Sequence, residues 1–181
     1  MGSLVGSRVE RKEDKRFLTG KGRYTADINI TNQTYAVFVR SPHARAKIKK
    51  VNFSKASKAP GVVSILTGAD IVNDKIGGLI AGWKIVSEDG SDMKVPAHPP
   101  LASDTVNYVG DHVAVVIAES LDEAKAAANL VEVDYKVLQA VTSTADAMKS
   151  EKIYNDIDKN LCFDWLLGDR AKVKEAFEKA D

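Results

Sequence analysis

Residues 108–135, YVGDHVAVVIAESLDEAKAAANLVEVDY, contain the clearest secondary-structure signals in the chain. Residues 113–118 are almost continuously apolar, which is typical of a strand that is buried on both faces. Ser120 and Glu123 have the S-x-x-E spacing of a capping box, and the alanine-rich residues 121–130 favour a helix. We therefore predict a buried strand followed by a capped helix, and expect Ser120→Ala to lower the free energy of unfolding by about 1 kcal/mol.

A third element follows the helix, because the sequence VEVDY at residues 131–135 alternates apolar and polar side chains. Its apolar members, Val131, Val133 and Tyr135, would lie on one face of a strand. A strand, a helix and a strand in this order predict a right-handed β-α-β crossover. Together with the strands expected upstream, this unit indicates an α+β fold with a mixed sheet.

The residues before this unit alternate between strand patterns and turn signals. YAVFVR at residues 35–40 and AKIKKV at residues 46–51 predict two strands, which are separated at Ser41-Pro42 because proline removes a backbone donor. The other upstream predictions are a strand at residues 27–30, a short helix that begins at Ser54, a strand at residues 62–66, and a helical turn after Thr67, which shares the capping-box spacing with Asp70.

Two segments have no strand pattern. Residues 73–100 are rich in Gly, Pro and Asp without a sustained period, so the segment is functional, disordered or covered by something else. Near the C-terminus, Asp169 is a candidate N-cap for an amphipathic helix. The apolar face of that helix would comprise Val173, Ala176, Phe177 and Ala180. The pattern reaches the last residue without a closing Gly or Pro, so we expect the chain to be part of a longer protein.

The composition is that of a folded protein. The chain has 181 residues, of which 44% are hydrophobic and 28% are charged, and this length suits one domain with an appendage. A net charge of +1 provides no overall field for nucleic acid or an anionic membrane. The single cysteine, Cys162, excludes an internal disulfide and any site with several cysteines from this chain, and it predicts a reducing, cytoplasmic compartment.

The candidate site residues form no known motif. His43, His98 and His112 lack the clustered spacing of metal ligands. Cys162 lies among apolar residues and is predicted to be a packing residue rather than a nucleophile. Several aspartates could form carboxylate pairs, but the sequence alone does not pair them: Asp27, Asp104, Asp111 and Asp134. We therefore assign no catalytic, cofactor-binding or metal-binding residue.

The basic stretch VRSPHARAKIKKV at residues 39–51 allows three interpretations: a nucleic-acid arm, an active-site loop, or a joint between strands. No aromatic residues are interleaved that could stack on bases. The basic residues alternate with inward apolar positions, as on the solvated face of a strand. We predict a surface joint at Ser41-Pro42-His43 and a solvated basic face that comprises Arg40, Arg45, Lys47, Lys49 and Lys50.

Five longer motifs occur in order along the chain: EDKRFLTGKGRYTADI, FVRSPHARAKI, APGVVSILTGAD, LASDTVNYVGDHVAVVIAES and AAANLVEVDYKVLQAV. Together with GDRAKVKEAFEKAD, they resemble the opening domain of the molybdopterin-binding large subunits of the molybdenum hydroxylases. This family includes carbon monoxide dehydrogenase, aldehyde oxidase and xanthine dehydrogenase. The resemblance covers residues 8–181 and is weakest at residues 71–97. It departs from the family pattern at His112, where proline usually follows the acidic residue, and at residues 135–139, where the usual YE-LP reads YKVLQ.

The resemblance implies an α/β-hammerhead domain at residues 1–148, followed at residues 149–181 by a linker and the start of a molybdopterin-binding domain. It also implies a structural role, in which the domain packs against the molybdenum-binding domains and against partner subunits that carry 2Fe-2S clusters and FAD. The family's cofactor and catalytic residues lie further along the subunit. The parent enzyme would therefore be a molybdenum-dependent oxidoreductase, a hydroxylase that uses oxygen from water, whereas this chain alone would be inactive. The alternative is a stand-alone hammerhead module that binds or assembles without catalysis.

Overall fold

The computed structural model describes residues 5–180 of the chain, which divide into two units between Gln33 and Thr34. The first unit has one short helix, α1 (Asp14–Leu18), and a 3-10 turn at Thr25–Asp27. All strands of the described residues lie in the second unit.

The end of the first unit differs from the sequence prediction. The strand predicted at residues 27–30 is wrong, because no strand is present there. Instead, Asp27 caps the 3-10 turn: its Oδ2 accepts a hydrogen bond from the backbone N–H of Tyr24 at 2.9 Å. Aspartate side chains often compete in this way with a sheet ladder for backbone donors.

The second unit combines six strands with four short helices. The strands are β1 (Tyr35–Arg40), β2 (Ala46–Asn52), β3 (Val62–Thr67), β4 (Thr105–Val106), β5 (His112–Ala118) and β6 (Glu132–Val137). The helices are α2 (Gly68–Asn73), α3 (Leu121–Ala128), α4 (Thr144–Ala147) and α5 (Arg170–Glu178). Two 3-10 turns occur as well, at Ala56–Lys58 and Asp158–Asn160, and the first of them replaces the helix predicted from Ser54.

The first sheet has the strand order β1-β5-β3, and both of its pairings are antiparallel. The central position of β5 explains its nearly continuous apolar sequence, because Val113, Ala114 and Val116 have no exposed surface. α3 packs against this sheet and buries Ala124 and Ala127 completely. Small side chains on that helix face allow the helix to approach the strands closely.

The second sheet has the order β4-β2-β6 and is also antiparallel. Ala46 of β2 lies opposite Val106 on one side and Val137 on the other. The buried core of the second sheet includes Val113 of the first sheet. The partly buried residues that pack on this core are Ile48, Val51, Val133 and Tyr135. The apolar alternation of β2 and β6 thus faces inward, as the sequence predicts.

The α+β class is confirmed, whereas the pairing of the strands requires a correction. Every strand pair among the described residues is antiparallel, so the sheets are not mixed. β5, α3 and β6 follow one another as predicted, but β5 and β6 belong to different sheets and form no β-α-β crossover within one sheet. The period of a sequence identifies a strand and its buried face, but the choice of partner depends on residues that are distant along the chain.

The predicted caps of α2, α3 and α5 are confirmed, whereas the N-cap predicted at Ser54 is wrong, because the 3-10 turn there begins after Lys55. Ser120 Oγ accepts from the backbone N–H of Glu123 at 3.2 Å and donates to its Oε2 at 2.7 Å. Asp70 Oδ2 accepts from the backbone N–H of Thr67 at 2.7 Å. Asp169 Oδ1 accepts from two backbone N–H groups in the first turn of α5, at 3.0 and 3.1 Å. These side chains satisfy donors that a helix start leaves free.

Residues 74–104 form an irregular segment between α2 and β4. Its only regular feature is an isolated bridge between Val86 and Asp92. The absence of a sustained period in the sequence of this segment therefore agrees with its irregular backbone. Within residues 5–180, no helix has the length and apolar character needed to cross a membrane.

Candidate functional site

The irregular segment and the C-terminal residues expose large apolar side chains. Ile80 is 92% exposed and Trp83 is 77% exposed. We use the name exposed apolar set for Leu79, Ile80, Trp83, Val86, Trp165, Leu167, Val173 and Phe177. Val173 and Phe177 belong to the apolar face predicted for α5, and this face is not covered by other described residues. Such a concentration of exposed apolar side chains is typical of an interaction surface.

Both tryptophans of the chain line one cleft. This tryptophan cleft has a volume of about 290 Å³ and is formed by Trp83, Lys84, Ile85, Val86 and Trp165. Tryptophan is enriched at protein interfaces because it contributes a large apolar area and loses little conformational entropy. The cleft is therefore suited to bind an apolar group of another polypeptide.

Backbone hydrogen bonds hold the two sides of this region together. The N–H of Glu88 donates to the carbonyl of Asp164 at 2.8 Å, and the N–H of Lys94 donates to the carbonyl of Cys162 at 2.9 Å. An ion pair of 3.1 Å between Arg170 Nη2 and Glu88 Oε2 connects the start of α5 to the same segment. The irregular segment is thus attached to residues 162–170 chiefly through main-chain groups.

A larger cavity, about 590 Å³, lies between residues 87–94 and 158–164. Hydrogen bonds from Ser91 lower the pKa of Asp89, and a hydrogen bond and the charge of Lys152 lower the pKa of Asp158. The charged side chains that line the cavity are mainly acidic: Glu88, Asp89, Asp92, Asp158 and Asp164, with Lys94 and Lys159. The negative charge of this lining disfavours a phosphate-bearing ligand.

Cys162 lines the same acidic cavity and is partly buried. Its backbone carbonyl, rather than its thiol, makes the contact to Lys94. The sequence interpretation of Cys162 as an unreactive packing residue stays a prediction.

Each of the three histidines packs on a different aromatic ring. Their ring pairs are His43 with Tyr135 at 5.0 Å, His98 with Tyr108 at 5.9 Å, and His112 with Phe38 at 4.3 Å between centroids. Within residues 5–180, no group of three His, Cys, Asp or Glu side chains could hold a metal ion. Structural packing accounts for these contacts.

The basic stretch is a joint between strands, as predicted. Lys47, Lys49 and Lys50 are exposed along β2. The arginines have a different role, because Arg40 Nη1 donates to the carbonyl of Gly110 at 3.1 Å and Arg45 donates to the carbonyls of Gln139 and Lys152 at 3.1 and 3.0 Å. Arg40 and Arg45 therefore connect distant backbone segments instead of forming a binding face.

Ser41 differs from the predicted surface joint in one respect. It is only 2% exposed, and its Oγ both donates to the carbonyl of His43 and accepts from the N–H of His43, at 3.0 Å in each case. The backbone N–H of Ser41 donates to the carbonyl of Asp111 at 2.8 Å. The joint is thus fixed from the inside by a buried serine.

Asp111 is one of the four candidate aspartates, but sequence reasoning did not single it out from the other three. Its side chain is buried, and Oδ2 accepts from the backbone N–H of Asn107 at 3.0 Å. The other candidate aspartates, Asp27, Asp104 and Asp134, are exposed. The available signal was an acidic residue directly before a strand that is buried on both faces, where a charge is uncommon.

Three tyrosines lie within the electrostatic influence of Asp111. Burial and, after it, the negative charge of Asp111 raise the pKa of Tyr108 and of Tyr154. Burial also raises the pKa of Tyr135, where the charge of Asp111 acts in the same direction and a hydrogen bond with Ser41 opposes it. The charge of Asp111 therefore acts on all three phenols, although burial is the larger cause of each shift.

Comparisons with known proteins agree with this fold. A family model described as aldehyde oxidase and xanthine dehydrogenase, a/b hammerhead domain, matches residues 19–139. The nicotine 6-hydroxylase large subunit of Paenarthrobacter nicotinovorans is 38% identical over 84% of this chain and 18% of its own length. The carbon monoxide dehydrogenase large chain of Afipia carboxidovorans is 33% identical over 98% of this chain and 22% of its own length.

Solved structures show the same relationship. The Cu,Mo-CO dehydrogenase matches with a TM-score of 0.74 and 30% identity over 97% of this chain and 22% of its own chain. Quinoline 2-oxidoreductase from Pseudomonas putida 86 matches with a TM-score of 0.72 and 36% identity over 83% of this chain and 18% of its own. The chain thus spans about a fifth of the length of the proteins it matches. It belongs to the family of α/β-hammerhead domains of aldehyde oxidase and xanthine dehydrogenase.

Proposed function

We propose that this chain is the N-terminal structural domain of a molybdenum hydroxylase large subunit. The observation that carries the proposal is the match to a carbon monoxide dehydrogenase large chain over 98% of this chain and only 22% of the relative. The remaining part of such a subunit would contain the catalytic machinery. In the complete enzyme, the domain would pack against the molybdenum-binding domains and against partner subunits that carry 2Fe-2S clusters and FAD.

The proposed domain boundary lies near residue 148. The family match ends at residue 139, shortly after the end of β6, which supports a hammerhead domain at residues 1–148. Residues 149–181 would form a linker and the start of the following molybdopterin-binding domain. The linker remains attached to the hammerhead, because the Lys152 carbonyl accepts from Arg45 and the Tyr154 hydroxyl accepts from Asn107 Nδ2 at 3.4 Å.

The exposed apolar set is the proposed contact with the molybdenum-binding domains. These side chains would lose apolar area to water in the complete subunit, which favours association by about 25 cal/mol for each Å² buried. The occupant would be a later part of the same polypeptide, since the relatives are about five times as long as this chain. Their position on the irregular segment and near α5, outside the two sheets, is consistent with an internal domain contact.

The described residues do not fit the molybdenum cofactor. The cavity between residues 87–94 and 158–164 has a mainly acidic charged lining, which would repel the phosphate of molybdopterin, and no metal-binding cluster of three acidic, His or Cys side chains is formed within residues 5–180. We therefore propose that the cofactor and the catalytic residues lie in the downstream domains and that this chain alone is inactive. A cytoplasmic location likewise stays a prediction, which rests on the single cysteine.

The molybdenum content of the purified chain tests this proposal. We expect no stoichiometric molybdenum and no substrate-dependent reduction of an artificial electron acceptor. The matched control is the complete subunit, expressed in the same host and loaded with cofactor. Stoichiometric molybdenum bound to the 181-residue chain would refute the structural role.

The gene sequence distinguishes the large-subunit proposal from the alternative, a stand-alone hammerhead module. A long open reading frame after the codon of Asp181 supports the large-subunit proposal. A stop codon at that point supports the module instead.

A further inference from the structure

A small polar cavity adjoins Asp111 within the second unit. It has a volume of about 50 Å³ and is lined mainly by polar side chains: His98, Thr105, Asn107, Tyr108, Asp111 and Tyr154. A cavity needs about 10–15 Å³ of such volume to hold one water molecule, so the space admits a small ion. None of the functions proposed above uses this cavity.

The cavity contains a buried carboxylate without a cationic partner. Asp111 is 7% exposed, and none of the ion pairs among residues 5–180 involves it. Its Oδ2 accepts one backbone hydrogen bond, from Asn107. A buried charge is costly unless a counter-charge and further hydrogen bonds compensate it. The Tyr108 hydroxyl also shares a hydrogen bond with Asp111, and the charge of Arg40 acts on the same tyrosine, but no described cationic side chain is in ion-pair contact with this carboxylate.

Asn107 contributes an oxygen that lacks a partner. Its Oδ1 is buried and accepts no hydrogen bond from any described residue. Its Nδ2 is already used, because it donates to the Tyr154 hydroxyl at 3.4 Å. Leaving such an acceptor unsatisfied costs about 1–3 kcal/mol, and in native proteins a water or an ion usually occupies the position.

No lysine or arginine of the described residues lines the cavity. His98 Nε2 lies 3.2 Å from the Tyr108 hydroxyl, so this imidazole is engaged at the edge of the cavity. The carboxylate and the amide oxygen only accept hydrogen bonds, whereas the phenol hydroxyls can donate as well as accept. Burial is the main cause that raises the pKa of Tyr108 and of Tyr154, the charge of Asp111 is the second, and Arg40 opposes them at Tyr108. A small cation in this cavity would contact both the unsatisfied amide oxygen and the carboxylate, and would add a positive charge beside Asp111.

We propose that this polar cavity binds a monovalent cation of the size of potassium or ammonium, coordinated by the Asp111 carboxylate and the Asn107 amide oxygen. The phenol oxygens of Tyr108 and Tyr154 complete the set of oxygen ligands. A divalent ion fits less well, because calcium and magnesium sites generally use more than one carboxylate or many ordered waters. The bound cation would join the Asn107–Asp111 turn to Tyr154, and so would fasten the linker to the hammerhead.

Thermal unfolding of the 181-residue chain in different salts tests the proposal. At constant ionic strength, potassium chloride and ammonium chloride should raise the melting temperature by several degrees in a saturable manner relative to choline chloride, whose cation is too large for the cavity. Asp111→Asn should abolish this difference. Asp134→Asn removes the same charge from an exposed position of β6 and should preserve it. Equal melting temperatures in the three salts would overturn the proposal.

A second variant and a direct measurement cover the case in which Asp111→Asn does not fold. Asn107→Asp adds a carboxylate and should lower the potassium concentration that gives half of the stabilisation by about tenfold, which corresponds to the 1.4 kcal/mol of a tenfold change in affinity. Crystals of the unmodified chain grown in rubidium chloride should show an anomalous peak between Asp111 and Asn107. A cavity that contains only water would show no peak, and unchanged potassium dependence in Asn107→Asp would also refute the site.

Discussion

The two sheets and the irregular segment use apolar residues in opposite ways. In the sheets, Val113 and Val116 are completely buried, and each strand is fixed by ladder hydrogen bonds to its neighbours. In residues 74–104, Ile80 and Trp83 are almost entirely exposed, and the backbone has one isolated bridge. The difference teaches that the sheets are stabilised by contacts within this chain, whereas the irregular segment has apolar area available for another polypeptide.

A pair of isoleucine substitutions tests the contrast between buried and exposed apolar residues most strongly. Ile157 is 2% exposed, although it lies beyond the last strand, whereas Ile80 is 92% exposed. Ile157→Ala should lower the free energy of unfolding by about 2–5 kcal/mol, because it removes buried methyl groups and leaves a cavity. Ile80→Ala in the isolated chain should change it by less than about 0.5 kcal/mol. Urea denaturation measures both values, and a similar cost for the two variants would remove the distinction.

A pair of glycine substitutions tests the packing between the first helix of the second unit and the loop before β4. A Cβ at Gly68 would lie 2.3 Å from the carbonyl oxygen of Ala102, which is a backbone atom and cannot rotate away. Gly68→Ala should therefore cost about 1–3 kcal/mol through overpacking. At Gly77, in the irregular segment, no atom lies within 4 Å of the added Cβ, so Gly77→Ala should be close to neutral. Thermal melts of both variants give the comparison, which fails if Gly68→Ala melts like the unmodified chain.

Two serine N-caps sharpen the comparison at the level of single hydrogen bonds. Ser120 Oγ accepts a hydrogen bond from the backbone N–H of Glu123 in the first turn of α3, which packs on the first sheet. Ser143 makes no side-chain cap bond at the start of α4. Ser120→Ala should cost about 1 kcal/mol, and Ser143→Ala should cost a few tenths at most. Chemical denaturation resolves this difference. An equal effect at both positions would mean that the Ser120 cap has no energetic role.

The smallest expected effect is the acid dependence of the cap on α2. Backbone and side-chain hydrogen bonds from Thr67 lower the pKa of Asp70 below its ordinary value of 3.8. The pKa of Asp70 is lower in the folded state than in the unfolded state. The contribution of its carboxylate to the free energy of unfolding is therefore complete above the unfolded pKa and is lost as the pH falls through the folded pKa. The stability difference between the unmodified chain and Asp70→Asn should therefore shrink below about pH 4. Melting curves between pH 7 and pH 3 measure it, and a difference that does not vary with pH argues against the cap.

Local features of the fold could be predicted from the sequence because neighbouring residues produce them. The apolar run of β5, the alanine-rich α3 and the caps at Ser120, Thr67 and Asp169 all depend on side chains within a few positions. The pairing of the strands could not be predicted in this way. β5 pairs with β1 and β3, which lie some 50 to 80 positions earlier, and an apolar period contains no information on that choice.

The candidate sites were hidden from sequence reasoning for a similar reason. The polar cavity unites Asn107 and Asp111 with Tyr154 and His98, and the last two come from segments without a recognisable motif. Trp83 and Trp165 are exposed because few described residues pack against them, and the amino-acid composition contains no information on such contacts. The family, by contrast, was identified from the order of the longer motifs, and the comparisons confirm it.

Amide hydrogen exchange, measured on the isolated chain and on the complete subunit, tests most directly whether this domain is a scaffold with a face reserved for its own polypeptide. The scaffold account predicts that residues 76–86 and 163–177 exchange much more slowly in the complete subunit, while the central strand β5 is protected equally in both. Identical exchange of these two segments in the isolated chain and in the complete subunit would contradict it.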